Sequence, residues 1–165
     1  MIPSHPNLRV RPATLTDLAC LVSFNAALAW ETEGRHLDTT TLQAGTQALF
    51  DDPQRGFYLV AERHVPTPTV VGQLMITYEW SDWRNGTFWW IQSVYVHPDW
   101  RRQHVFRQLY DHVFEMTQDK PHIAGIRLYV EQANKTAQLV YTHLGFTQAQ
   151  YHIFEHDGMR PSRIL

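Results

Sequence analysis

Two stretches of this chain bring together residue types that can do chemistry. The first, VHPDWRRQHVFR over residues 96–107, leaves an apolar run and enters a helical one. A helix that starts just after a strand presents unpaired backbone N–H groups and the positive end of its dipole, and both suit a phosphate. Arg101, Arg102 and Arg107 add formal charge there. Such a turn usually relies on glycine, where φ is positive or the backbone must approach the anion closely. This one has none. Histidine is among the few other residues enriched at positive φ, so His104 could hold the turn, and its ring could donate to a phosphate. The plain alternative is a solvated basic loop.

The second stretch starts at Leu128-Tyr129-Val130-Glu131 and runs through Asn134, Ala137, Tyr141, Leu144, Gly145 and Phe146. A tyrosine can give a proton to a leaving group. On helical spacing alone, Ala137, Tyr141 and Leu144 form a core stripe. Ten histidines raise the question of a metal. His152 and His156 fall in a strand and its exit, and neither HExxH nor a cysteine partner is present, so no metal site is expected.

Both stretches need a scaffold. Leu8 to Arg11 reads as a short strand, and Thr14 with Asp17 resembles a capping box for a helix of about four turns through Leu18, Leu21, Val22, Asn25 and Leu28. A polar link, ETEGRHLDTTT, leads to a second helix over 42–50. Strands follow at 56–62, 70–80 and 87–96, and Asn85-Gly86 favours positive φ in the last reversal. Phe106, Leu109, Val113 and Met116 mark a helix over 105–118. A strand over 125–131, a helix over 134–144 with Gly145 as C-cap, and a last strand over 146–155 complete the order β-α-α-β-β-β-α-β-α-β. The strand–helix–strand crossover implies one parallel pair in an otherwise antiparallel sheet.

The chain has 165 residues, 44% hydrophobic and 18% charged, which fits one globular domain with a real core. A net charge of −2 argues against a nucleic-acid partner. Cys20 is the only cysteine, so no internal disulfide can form. With no signal peptide and no apolar run long enough to span a membrane, a soluble, cytoplasmic protein is expected.

In its two chemical blocks and its element order, the chain resembles the GNAT family of N-acetyltransferases over residues 8–155. That family's signature is a strand, then Arg/Gln-x-x-Gly-x-Gly/Ala, then a helix, often preceded by V-x-P-x-(aromatic)-R. Val96-His97-Pro98-Asp99-Trp100-Arg101 matches the lead-in, while Arg101-x-x-His104-x-Phe106 keeps only the first signature position. The second block matches the family's strand, Asn and helix ending Y-x-x-x-G-F. The resemblance implies a single acetyltransferase domain over 1–165. Its fold would be mixed α/β: a mostly antiparallel sheet, one parallel pair splayed around an acyl-CoA site, and helices on both faces.

The resemblance also implies roles. Acetyl-CoA would be the acyl donor, with its pantetheine arm along Val94, Tyr95 and Val96. Arg101 opens the signature, and backbone N–H groups of Arg102, Gln103, His104, Val105, Phe106 and Arg107 would take the pyrophosphate. Asn134 would bond the pantetheine arm or a water, and Tyr141 would be the acid that protonates the leaving thiolate. The acceptor, a primary amine on a small molecule or an amino terminus, would lie between the link at 30–38 and the hairpin at 78–90. There Glu31, Glu33, Glu79 and Asp82 with Trp80, Trp90 and Gln92 could line a site for a cation, or form a solvated link and a packed hairpin. Gln92 cannot take a proton, so the base is open among Glu79, Glu31, Glu33, a water chain, or an amine that arrives neutral. Two other readings stand beside this one: a non-catalytic acyl-CoA sensor, and an interaction module using the tryptophan-rich hairpin. Relatives' habits make a homodimer through the last strand or the hairpin a further option.

Overall fold

The computed structural model describes residues 7–156. Five strands, β1 (Leu8–Pro12), β2 (Gly56–Arg63), β3 (Thr69–Ser81), β4 (Gly86–Val96) and β5 (Ile123–Leu128), form one sheet in chain order. Neighbours pair antiparallel except β4 and β5, which run parallel because the helix α3 (Val105–Gln118) carries the chain between them. The mixed sheet with one parallel pair is the architecture expected from the sequence.

Helices α1 (Leu18–Glu33) and α2 (Thr39–Asp51) cover one face. Leu21 of α1 is fully buried against Tyr58 and Val60, with Leu49 and Phe50 of α2 beside them. Helix α3 covers the other face, where Val105, Leu109 and Val113 meet Leu59, Leu74, Ile76, Trp89 and Ile91. Each such side chain contributes about 1.5–3 kcal/mol on leaving water, so this second face dominates the core. The last helix, α4 (Lys135–His143), follows β5, and Leu144 and Phe146 beyond it pack on the same cluster. No helix among the described residues is long and apolar enough to cross a membrane.

Local chemistry explains the boundaries. Thr14 N donates to Asp17 Oδ2 at 2.8 Å, as part of the expected capping box. Helix α1 runs on to Glu33 and stops at Gly34, which takes φ 63°. Helix α2 begins three residues before the sequence reading, because Asp38 Oδ1 accepts from Thr41 N at 2.8 Å. In the β3–β4 reversal positive φ falls on Asn85 alone (44°). Gly86 is needed for closeness instead: a Cβ there would sit 2.9 Å from His122 O.

Two readings are corrected. The strand placed at 125–131 lies at 123–128, because its ladder with β4 ends at Ile91↔Leu128 and Tyr129 onward has no strand to pair with. The last strand, read over 146–155, is not formed. Tyr151, Ile153 and Phe154 are 81%, 62% and 93% exposed. Alternating apolar residues make a strand only against a neighbour that takes their backbone bonds, and among the described residues none is paired with them.

Candidate active site

The site is built around an irregularity in β4. Gln73 of β3 faces Tyr95, but Met75 faces Gln92, so β4 carries one extra residue, a β-bulge. Ser93 in it takes φ 49°. The bulge is held from beneath by a buried polar chain. Gln73 Nε2 donates to Ser93 O at 3.2 Å and to Asn25 Oδ1 at 2.7 Å, and Asn25 Nδ2 donates to Tyr58 Oη at 3.0 Å. Beyond Ile91↔Leu128 the parallel strands part, leaving the β5-facing backbone of 92–96 without a strand partner among the described residues. Val94 and Val96 turn their side chains to the α3 core, and Tyr95 turns to Phe24 of α1.

The loop from 97 to 104 then turns into α3. Arg102 and His104 both take left-handed backbone, with φ 63° and 60°. His104 thus adopts the conformation that glycine would otherwise supply. It is the residue before α3, yet no side chain caps the helix there. The first helical bond is Gln108 N to His104 O at 3.1 Å, so the N–H groups of the first turn remain open, as helix geometry requires. Val105 is buried against Gly72, where a Cβ would come within 2.9 Å of Val105 Cγ1. Phe106 folds away from the loop and meets Tyr141 edge-on, ring centres 5.7 Å apart. Both side chains are thus turned to packed neighbours in the core.

The charges of this loop are mostly committed. Arg101 Nε donates to Val96 O at 3.0 Å, and its guanidinium pairs with Glu31 at 2.5 Å. Arg107 pairs with Asp111 one turn along α3 at 2.8 Å, and Gln103 Nε2 donates to Asp99 O. Arg102 is exposed and has no carboxylate partner among the described residues.

Asn134 sits just before α4 and its Oδ1 accepts from Ala137 N at 3.0 Å, so its carbonyl serves as the helix cap. Tyr141 lies between Phe106 and Phe146, and its hydroxyl has no hydrogen bond among the described residues. Burial pushes its phenol above the ordinary range, so the proton is held through neutral pH.

The residues expected from the sequence to line an acceptor site are divided by strand alternation. Glu79, Trp90 and Gln92 share the α1 face of the sheet. Trp80 is on the opposite face with Tyr78, whose ring meets Trp89. Trp80 is therefore not part of the same surface as Glu79, a correction to the sequence reading. Glu79 accepts from Trp90 Nε1 and pairs with Arg127 at 2.8 Å; Gln92 Nε2 donates to Thr77 Oγ1. Glu31 takes Tyr95 Oη at 2.8 Å as well as Arg101. The Tyr95 hydrogen bond and the Arg101 guanidinium together hold the Glu31 carboxyl below the usual range. Glu33 lies 3.3 Å from Arg35, both exposed, and Asp82 caps Trp83 N in the hairpin turn.

Arg127 and Tyr129 also belong to this surface; the sequence reading quoted Tyr129 only within its strand block and did not single out Arg127. Arg127 lies 3.6 Å over the Phe88 ring, and Tyr129 stacks on Trp90 with centres 4.2 Å apart. The signal was alternation: Arg127 is paired with Trp90 in the parallel register, and Tyr129 falls two residues on, just past the last pair.

The sequence profile of the Acetyltransferase (GNAT) family matches residues 23–146. A search of curated proteins gave no match. Among solved structures, a possible acetyltransferase from Clostridium difficile 630 is 40% identical, with a TM-score of 0.85, over 93% of this chain and 99% of that one. A predicted acetyltransferase with acetyl-CoA from Clostridium acetobutylicum shares the fold at 17% identity and a TM-score of 0.71, covering 90% and 96%. An aminoglycoside acetyltransferase from an uncultured soil metagenomic sample, in complex with sisomicin, does so at 14% and 0.71, covering 93% and 97%. Profile and fold agree, and this chain belongs to the GNAT acetyltransferase family.

Proposed function

We propose that this protein transfers an acetyl group from acetyl-CoA to a primary amine by direct attack in a ternary complex. The observation that carries this is the uncapped start of α3 behind two left-handed residues, beside the open edge of β4. These features fit a CoA molecule. Open N–H groups from 102 to 107 suit its pyrophosphate, with Arg102 free to add charge, and the backbone of 94–96 suits the amides of its arm. When bound, acetyl-CoA supplies an activated thioester carbonyl.

The chain's residues then have three tasks. The bulge at Ser93, held by Gln73, turns backbone toward the gap where the carbonyl would lie. Tyr141 gives its proton from Oη to the departing thiolate. Removal of the amine's proton falls to no carboxylate directly, since Glu31 and Glu79 are already bonded, Glu33 is exposed beside Arg35 and Gln92 is not basic; the amine attacks as its neutral form or passes its proton to water. The lone Cys20 accords with a reducing, cytoplasmic setting.

The test is thiol release from acetyl-CoA with a panel of primary amines, in wild type and Tyr141→Phe. Loss of the acid lowers kcat by about 100-fold while leaving KM for acetyl-CoA unchanged. An unaltered kcat would remove Tyr141 from the reaction. Tight acetyl-CoA binding without release for any amine would support a sensor instead.

A further inference from the structure

We infer that the acceptor surface selects an amine joined to a flat apolar body, and that Arg127 is the residue that turns polycations away. This rests on the amine-transfer reading and names the class of amine. The cluster lies at the splay of β4 and β5, on the α1 face. Trp90 and Tyr129, stacked at 4.2 Å, flank the last paired residues, Ile91 and Leu128. Tyr129 remains 53% exposed, so an aromatic face is open where the strands part.

Charge on this surface is balanced. Acidic residues next to aromatic ones would ordinarily attract multiply charged amines. Glu79, however, is held from both oxygens: Arg127 Nη1 donates to Oε1 and Trp90 Nε1 donates to Oε2. Arg127 in turn rests on the Phe88 ring, 3.6 Å from its centre, and 5.8 Å from that of Trp90. The other carboxylate at the edge of the cleft, Glu31, is closed by Arg101 and Tyr95. A second positive charge on the acceptor would thus find no unpaired carboxylate in this cluster and would meet the Arg127 guanidinium. An aromatic or apolar body would stack on the exposed side of Tyr129, which Trp90 backs. Specificity then has an attractive part and a repulsive part.

Phenethylamine and spermidine are the probes. Wild type favours phenethylamine in kcat/KM for thiol release, and calorimetric titration gives the same order of binding. Arg127→Gln uncovers Glu79, and the ratio moves toward spermidine by about tenfold, the size of one partly screened charge contact. Tyr129→Ala weakens phenethylamine and leaves spermidine unchanged. Binding that keeps this order and this response to Arg127→Gln, without thiol release, would uphold the inference while sinking the transfer reading. Turnover that favours spermidine in wild type would do the reverse. Failure of phenethylamine to bind, or an unmoved ratio in a folded Arg127→Gln protein, overturns the inference.

Discussion

Arg101, in the loop after β4, and Glu31, seventy residues earlier near the end of α1, are joined by an ion pair of 2.5 Å. The same carboxylate accepts from Tyr95 Oη, and the same guanidinium holds Val96 O. One end of the loop before α3 is thereby tied to the end of α1. The pair is half-exposed, so it contributes under about 1 kcal/mol to folding. Its effect is on position. Arg101→Ala is expected to raise KM for acetyl-CoA several-fold with little change in melting temperature, and Arg101→Lys to fall between. Initial-rate kinetics beside a thermal melt separate the two, and an unchanged KM would count against the tie.

His104 holds φ 60° without glycine. A β-branched residue tolerates that conformation poorly, so His104→Val should cost about 1–3 kcal/mol and weaken acetyl-CoA binding. His104→Gly relieves strain but frees the unfolded chain, leaving stability within about 1 kcal/mol of wild type and binding intact. Denaturant unfolding of the three proteins checks the order. Equal stability of the valine and glycine variants would show that the turn does not require positive φ.

Arg11 ties β1 to Asp17 and Glu62, at 2.8 Å and 2.6 Å, in the least exposed ionic cluster of the described residues. Burial alone would raise the Asp17 carboxyl, but the Arg11 and Thr14 hydrogen bonds outweigh it and the net shift is downward. Glu62 is lowered chiefly by its Arg11 bond. Both carboxylates are depressed in the folded state, so their stabilisation is present above the unfolded carboxylate range and is lost as pH falls through the folded values. The melting temperature should hold from pH 7 to about 5 and drop below about pH 4. Arg11→Met should cost about 3 kcal/mol at neutral pH by stranding Asp17, and its gap from wild type should narrow in acid. Melts across pH test this, and a constant gap would contradict it.

Much of this was legible in the sequence because local chemistry governs it. Thr14 marked a helix start through a short-range bond, and the switch of period along 56–96 gave the strands, whereas the caps at Gly34 and Asp38 lay inside what read as a polar link. His104 was readable because few residues tolerate its backbone conformation. Relations made only by folding were not. Nothing near Glu31 in sequence announces Arg101 or Tyr95, and nothing near Ser93 announces that Gln73 and Asn25 support its bulge. Trp80 was grouped with Glu79 because they adjoin in sequence, whereas strand alternation sends adjacent side chains to opposite faces. The final strand failed because alternation describes one chain and a ladder needs two.

The central claim is that the start of α3 and the open edge of β4 hold acetyl-CoA, and ligand-induced stabilisation tests it most directly. At about 100 times the dissociation constant a ligand adds roughly 2.7 kcal/mol to the native state, several degrees in a thermal melt of a domain this size. Wild type and Tyr141→Phe should both shift by that amount with acetyl-CoA, since the tyrosine acts on the reaction rather than on binding. Absence of any shift with millimolar acetyl-CoA in a folded wild-type protein would leave the GNAT fold standing and contradict the function proposed for it.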